Sequence, residues 1–208
     1  MCSSDLAALN RGEFIASHGL TADAKATRAG IEGAGEVVAM GAEVRDLKIG
    51  ARMMGRLSGA YAQYALMDAR EAIPVPPSLS WEEAAATPIT FCVVYDMLVE
   101  QGRLRAGERL LIMGVSSGVG VAALQAGKAL GATVLGTSGS ADKLERLKPL
   151  GLDVPLQTRA PDFSAAVLQA TGGHGADLVI NTVGGTVFEE CVRSLAFQGR
   201  LAMVGYLD

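Results

Sequence analysis

Two rhythms divide the chain. From residue 108 onward, short continuous apolar runs alternate with stretches whose apolar positions recur at helical spacing. Such runs suit strands covered on both faces, and their alternation with helices suits a parallel sheet. They predict strands over 110–113, 133–137, 154–156, 177–181 and 200–205. Helices are expected to start inside the turn after 113, with Val121, Leu124 and Leu130 as the first one's apolar face, and to run over 142–148, 163–170 and 187–196. Before residue 80 the β-prone pieces, 36–40, 51–55, 61–68 and 71–76, are short and broken by glycine and proline, as in an antiparallel barrel or sandwich. Ser80 followed three residues later by Glu83 predicts a capped helix start. Pro88 should end that helix, and a second is expected over 89–101 with Ile89, Cys92, Val93, Met97 and Leu98 buried.

The stretch Gly114-Val115-Ser116-Ser117-Gly118-Val119-Gly120 joins the first strand of the second half to its helix. Small residues there let the main chain turn sharply, and the free N–H groups of a first helical turn favour an anion such as a nucleotide pyrophosphate. The fingerprint G-x-G-x-x-G is met only loosely, because Ser117 stands at the middle glycine. The next strand and helix complete a β-α-β unit of about 30 residues. At the end of that second strand, Gly136-Thr137-Ser138-Gly139-Ser140 offers hydroxyls and no carboxylate, with Lys143 one turn into the helix. An NAD site normally places an acid there, so the pattern favours the 2′-phosphate of NADPH. The plainer alternative is that Ser140 only caps the helix and Lys143 is a solvated charge. Gly127 costs its helix about 1 kcal/mol relative to Ala, which close packing against the sheet would explain.

Composition narrows the classes. The chain has 208 residues, of which 50% are hydrophobic, enough for a real core. With a net charge of −4 and no basic cluster, neither nucleic acid nor a membrane surface is an expected partner. No apolar run approaches the roughly 20 residues of a membrane span, and no signal sequence opens the chain, so a cytoplasmic location is expected. Cys2, Cys92 and Cys191 are read as reduced thiols, and His18 and His174 as turn residues rather than ligands. Residues 1–6, MCSSDL, run into 7–19 with no initiating strand or cap, which suggests a junction rather than a native start.

The segments ALNRGEF (8–14), GIEGAGEVVAMG (30–41), GAYAQYALM (59–67), LSWEEAAATP (79–88), GVSSGVGVAALQAGKALGA (114–132), GTSGSADKLERLKPLG (136–151) and GADLVINTVGG (175–185) follow one another in order. As a set they resemble the medium-chain dehydrogenase/reductase superfamily, in its zinc-free quinone oxidoreductase branch. The resemblance implies an α/β fold: a partial GroES-like β-barrel over 1–88, then a Rossmann doubly wound sheet over 89–208, both cut short as in an internal fragment. It further implies an NADPH-dependent, zinc-independent oxidoreductase passing hydride to a quinone or activated alkene. An enoyl or alkenal reductase, or a dinucleotide-binding protein without turnover, are the alternatives.

Residue by residue, the resemblance sets Ser116, Ser117, Gly118 and Val119 on the pyrophosphate. Gly139, Ser140, Lys143 and Thr158 fall at the 2′-phosphate, Thr158 replacing a Tyr with Arg159 adjacent as a substitute. Asn181, Val183, Gly205 and Tyr206 fall at the nicotinamide ribose and ring. Asn10 would face the same cleft, Glu13 stands where relatives often carry Asp, and Tyr61 or Tyr206 could donate a proton unless solvent does. Zinc-dependent relatives carry Cys and His where this chain has Asn10 and Ile31, and their four-cysteine lobe is replaced by residues 57–60, so no metal is expected. Val93 and Thr21 depart from the family's Thr and aromatic. Cys92 and Cys191 are read as small hydrophobes. The expected partner is a small quinone or enone, and a homodimer is left open for the parent enzyme.

Overall fold

The structure is a computed structural model that describes residues 2–3, 6–10, 13 and 29–204. The expectations for His18, Thr21, Gly205 and Tyr206 fall outside them. The chain forms two compact units, Met1–Ile89 and Thr90–Asp208.

In the first unit, β2 (Leu6–Ala7), β3 (Glu32–Glu36), β4 (Arg52–Arg56) and β6 (Ile73–Pro74) form an antiparallel sheet in the order β2-β3-β4-β6. β1 (Cys2–Ser3) pairs antiparallel with β5 (Tyr64–Ala65). Strands therefore do open the chain, contrary to the expectation for residues 1–6. The strand expected over 36–40 lies earlier, across the glycines. Backbone proximity explains why: a Cβ at Gly33 would stand 2.5 Å from the Leu6 carbonyl oxygen, so only glycine lets β2 and β3 approach there. The 61–68 strand shrinks to Tyr64–Ala65.

α1 (Trp81–Ala85) starts as expected: Glu83 N–H donates to Ser80 Oγ at 3.2 Å, and Ser80 N–H to Glu83 Oε2 at 2.9 Å. Ala84 and Ala85 bury against Ala34, Met54 and Val75. Pro88 does not end a helix but begins one, α2 (Pro88–Tyr95), because its fixed φ and missing N–H suit a first turn. α2 runs into a π-helical segment, Asp96–Gln101. Met97 and Leu98 are buried as expected, together with Val94, whereas Cys92 is exposed and does not belong to the buried face.

The second unit is a parallel sheet in the order β11-β10-β7-β8-β9, built from β7 (Arg109–Ile112), β8 (Thr133–Ser138), β9 (Val154–Gln157), β10 (Ala176–Asn181) and β11 (Leu195–Met203). Its helices are α3 (Gly118–Ala129), α4 (Ala141–Leu147), α5 (Ser164–Ala170) and α6 (Phe188–Arg193). Leu110, Ile112, Val134, Leu178 and Ile180 join one core cluster, while Leu111, Leu135 and Val179 join another. Alternate residues of each strand thus serve opposite faces, which is why the strands read as unbroken apolar runs. The last helix is shorter than expected: Ser194 Oγ donates back to the Glu190 carbonyl at 2.8 Å at its end, and Leu195 and Ala196 already belong to β11.

α3 also corrects its expected face. Its buried residues are Gly120, Ala122, Ala123, Leu124 and Gly127, whereas Leu130 is 37% exposed. Small residues let the helix lie close to the sheet. A Cβ at Gly127 would come within 2.7 Å of Leu110 Cδ2 and 3.4 Å of Val134 Cγ2. Overpacking of that kind costs about 1–3 kcal/mol, against about 1 kcal/mol gained in helix propensity. Gly127→Ala is therefore expected to lower stability by about 1 kcal/mol in a denaturant titration; an equal or higher midpoint would contradict the packing account. Among the described residues, no helix is long and apolar enough to cross a membrane.

Candidate dinucleotide site

The turn after β7 is held from below by β8. Gly114, at φ +65°, donates its N–H to Thr137 Oγ1 at 3.0 Å, and Val115 N–H donates to the Thr137 carbonyl at 2.9 Å. Thr182 Oγ1 donates to the Met113 carbonyl at 2.6 Å, tying the end of β10 to the same turn. Ser117 caps α3, its Oγ accepting from Gly120 N–H at 3.1 Å. Among the described residues, the N–H groups of Gly118 and Val119 meet no acceptor. A Cβ at Gly118 would meet nothing within 4 Å. Two free amides at the open N-terminus of a 12-residue helix are a fit for a phosphate.

Ser116 and Ser138 share a hydroxyl hydrogen bond of 3.1 Å, and Ser138 Oγ accepts from Ser140 N–H at 3.3 Å. The structure thus brings Ser116, Ser117, Gly118 and Val119 to one turn, and links that turn to Gly139 and Ser140. Ser140 Oγ accepts from Lys143 N–H at 3.4 Å, the capping role that was the plainer alternative. Thr158 turns its hydroxyl onto its own loop, donating to the Ala160 carbonyl at 2.9 Å and accepting from Ala160 N–H at 3.1 Å. At the end of β10, Asn181 is fully buried: Oδ1 accepts from Val183 and Gly184 N–H at 2.9 and 3.0 Å, and Nδ2 donates to the Gly184 carbonyl at 2.8 Å. Its side chain shapes the loop that carries Val183.

Asn10 and Tyr61 belong to the first unit, where two carboxylates organise them. Glu32 is 1% exposed and accepts from Asn10 Nδ2 and from Ile89 N–H, both at 2.8 Å. Glu13 accepts from Gly30 N–H at 2.8 Å and from the Tyr61 hydroxyl at 2.8 Å. Burial and then the Glu13 hydrogen bond push the Tyr61 phenol above its ordinary value, so it stays protonated at neutral pH. The sequence reading missed Glu32 altogether and, for Thr137 and Thr182, missed that they hold the turn after β7. An acid inside a glycine-rich β run, a feature it shares with Glu36, was the available signal for Glu32; no local pattern marked the two threonines as turn holders. Cys191 is fully buried, which pushes its thiol up to about 12, and Arg193 is committed to Glu189 and Glu190, so no thiolate is activated there.

The family model "Alcohol dehydrogenase GroES-like domain" matches residues 1–77, and the model "Zinc-binding dehydrogenase" matches residues 118–208. The chain belongs to the medium-chain dehydrogenase/reductase superfamily. Among solved members of this superfamily, the enoyl reductase CurK is 28% identical with a TM-score of 0.84, over 94% of this chain and 59% of that one. Mycobacterial Rv1454c, complexed with NADPH, is 28% identical with a TM-score of 0.89, over 95% of this chain and 62% of that one. A Pseudomonas syringae quinone oxidoreductase is 30% identical with a TM-score of 0.89, over 99% of this chain and 64% of that one. Among curated proteins, highly-reducing polyketide synthase 1 of Aureobasidium melanogenum is 36% identical over 182 residues, which are 86% of this chain but 8% of the synthase. The second model's description notwithstanding, Asn10 is bonded to Glu32 and Ile31 is a hydrocarbon, a donor set that does not fit a catalytic zinc.

Proposed function

We propose that this oxidoreductase uses NADPH to reduce an activated alkene, an enone or enoyl group, with a quinone as the second reading. The observation that supports the cofactor is the free amide pair of Gly118 and Val119, set beside a strand end with hydroxyls and no carboxylate. The relatives named enoyl reductase and polyketide synthase favour the alkene; the Pseudomonas relative favours the quinone. In this reading residues 1–88 are the catalytic, GroES-like part and 89–208 the nucleotide-binding part of a cytoplasmic protein. Bound NADPH supplies the hydride. The chain holds its phosphates through Ser116, Ser117, Gly118 and Val119 and its nicotinamide half through the Asn181–Val183 loop with Gly205 and Tyr206. Asn10 and Tyr61 orient the acceptor's oxygen. The oligomeric arrangement of the parent enzyme, a homodimer included, is part of the same proposal.

The test is NADPH oxidation by the purified chain over a panel of enones, an enoyl thioester and quinones. Alkene turnover exceeding quinone turnover, and falling in Asn10→Ala, is expected. Quinone turnover alone would establish the second reading, and NADPH binding with neither turnover would make this a dinucleotide-binding protein without catalysis.

A further inference from the structure

We propose that Met203 is a modification site, an exposed thioether whose oxidation to the sulfoxide by a peroxide loosens the Asn181–Val183 loop; its bearing on the cofactor rests on the NADPH reading above. Met203 ends β11 beside Asn181, its register partner on β10. Its side chain is 43% exposed, whereas Met53, Met54, Met97 and Met113 are all buried. The sulfur nevertheless has a structural task. Asn181 Nδ2 donates to the Gly184 carbonyl at 2.8 Å and to Met203 Sδ at 3.5 Å. A fully buried carboxamide that orders a loop thus leans, for one of its bonds, on a side chain that solvent reaches.

A thioether is a weak acceptor and an oxidisable one. On reaction with hydrogen peroxide the sulfur takes up one oxygen atom, the O–O bond breaks and the peroxide leaves as water, so sulfur is oxidised and peroxide reduced with no further reactant. Where the new oxygen forms on the side of Nδ2, it must fit between two atoms already at hydrogen-bonding distance. Either the amide then moves, carrying Val183 and Gly184 with it, or the Met203 side chain leaves. In the other epimer the oxygen points to water, and the sulfur, drained of electron density, holds Nδ2 less well. Each course weakens a partner of Asn181, and a buried N–H poorly partnered is unfavourable. Met113 Sδ also accepts a hydrogen bond, from Thr137 Oγ1 at 3.8 Å, but its burial shields it from the reagent.

Treatment of the chain with hydrogen peroxide tests this, with each methionine mapped by mass spectrometry and amide exchange followed at Val183 and Gly184, which donate to Asn181 Oδ1. Met203 should gain oxygen before the buried methionines do. Exchange at both amides should then quicken about tenfold, as for one lost hydrogen bond, and methionine sulfoxide reductases should reverse both changes. Met203→Leu, which lacks the sulfur from the start, should exchange faster than the native chain and respond no further to peroxide, although Met40, 38% exposed, is oxidised in it too. NADPH affinity, measured on the same samples, should fall in the native chain as exchange quickens. Met203 still reduced when the buried methionines are oxidised, or oxidised with both amides unchanged, would overturn the proposal. Quickened exchange with unchanged NADPH affinity would overturn its bearing on the cofactor. The exchange response in a chain that never binds NADPH would overturn the NADPH reading and support the Met203 site.

Discussion

Gly120→Ala is expected to disable the nucleotide turn. The added Cβ would sit 2.4 Å from the Gly114 carbonyl oxygen and 2.7 Å from both the carbonyl carbon and Cα of Val115. These are backbone atoms of a turn pinned by Thr137, so no side chain can rotate aside. Helix propensity returns about 1 kcal/mol. Forcing the backbone apart costs more, and a net loss of about 3 kcal/mol is expected, near the upper end of overpacking. At this chain length that is a fall in Tm of about 6–12 °C. The shift also moves the Gly118 and Val119 amides, so NADPH should bind at least about tenfold more weakly at a temperature where the variant is folded. Gly118→Ala is the control for stability: with nothing within 4 Å, its Tm should not fall. An unchanged Tm in Gly120→Ala would show that the turn relaxes and that tight packing is not why glycine stands there.

The contrast between those two glycines marks what sequence patterns convey. Both carry the same letter in GVSSGVG, and pattern alone finds the turn, the strand before it and the helix after it. Which glycine is jammed against backbone and which faces open space depends on the path of the turn over β8. The parallel strands were readable because burial on both faces leaves continuous apolar runs such as Leu110–Ile112. The first unit was harder: Gly33 and Gly55 lie inside paired strands because a neighbouring backbone oxygen approaches each within 2.6 Å of where a Cβ would be. Propensity reads such glycines as breaks. In α2 and the π-helical segment after it, helical spacing found Met97 and Leu98 but put Cys92 on their face, where Val94 stands instead. At the site, Ser117 and Ser140 were recognisable as caps from local spacing. Arg159 on Gly139 and Asn10 on Glu32 join residues about twenty apart in sequence, and no local pattern encodes them.

Glu32 gives the other large expected effect. Pro88 at the first position of α2 has no N–H, and the next orphan donor, Ile89 N–H, is taken by Glu32, 57 residues earlier in the chain. The same carboxylate holds the Asn10 carboxamide. Glu32→Ala leaves both donors without an acceptor in a buried site, at about 1–3 kcal/mol each, and opens a cavity besides. Freedom from burying a carboxylate offsets part of this, so a net loss of about 3 kcal/mol is expected by denaturant titration. Glu32→Gln separates the two jobs. Its remaining oxygen can still accept from Ile89 N–H, so most of the stability should persist. Its new NH₂ then faces Asn10 Nδ2, donor against donor, and the Asn10 carboxamide must turn over to offer its oxygen inward. The group Asn10 presents outward changes from acceptor to donor, and turnover should change at nearly native Tm. Native stability in Glu32→Ala would show that solvent replaces both bonds, and native turnover in Glu32→Gln would show that the orientation of Asn10 does not bear on the reaction.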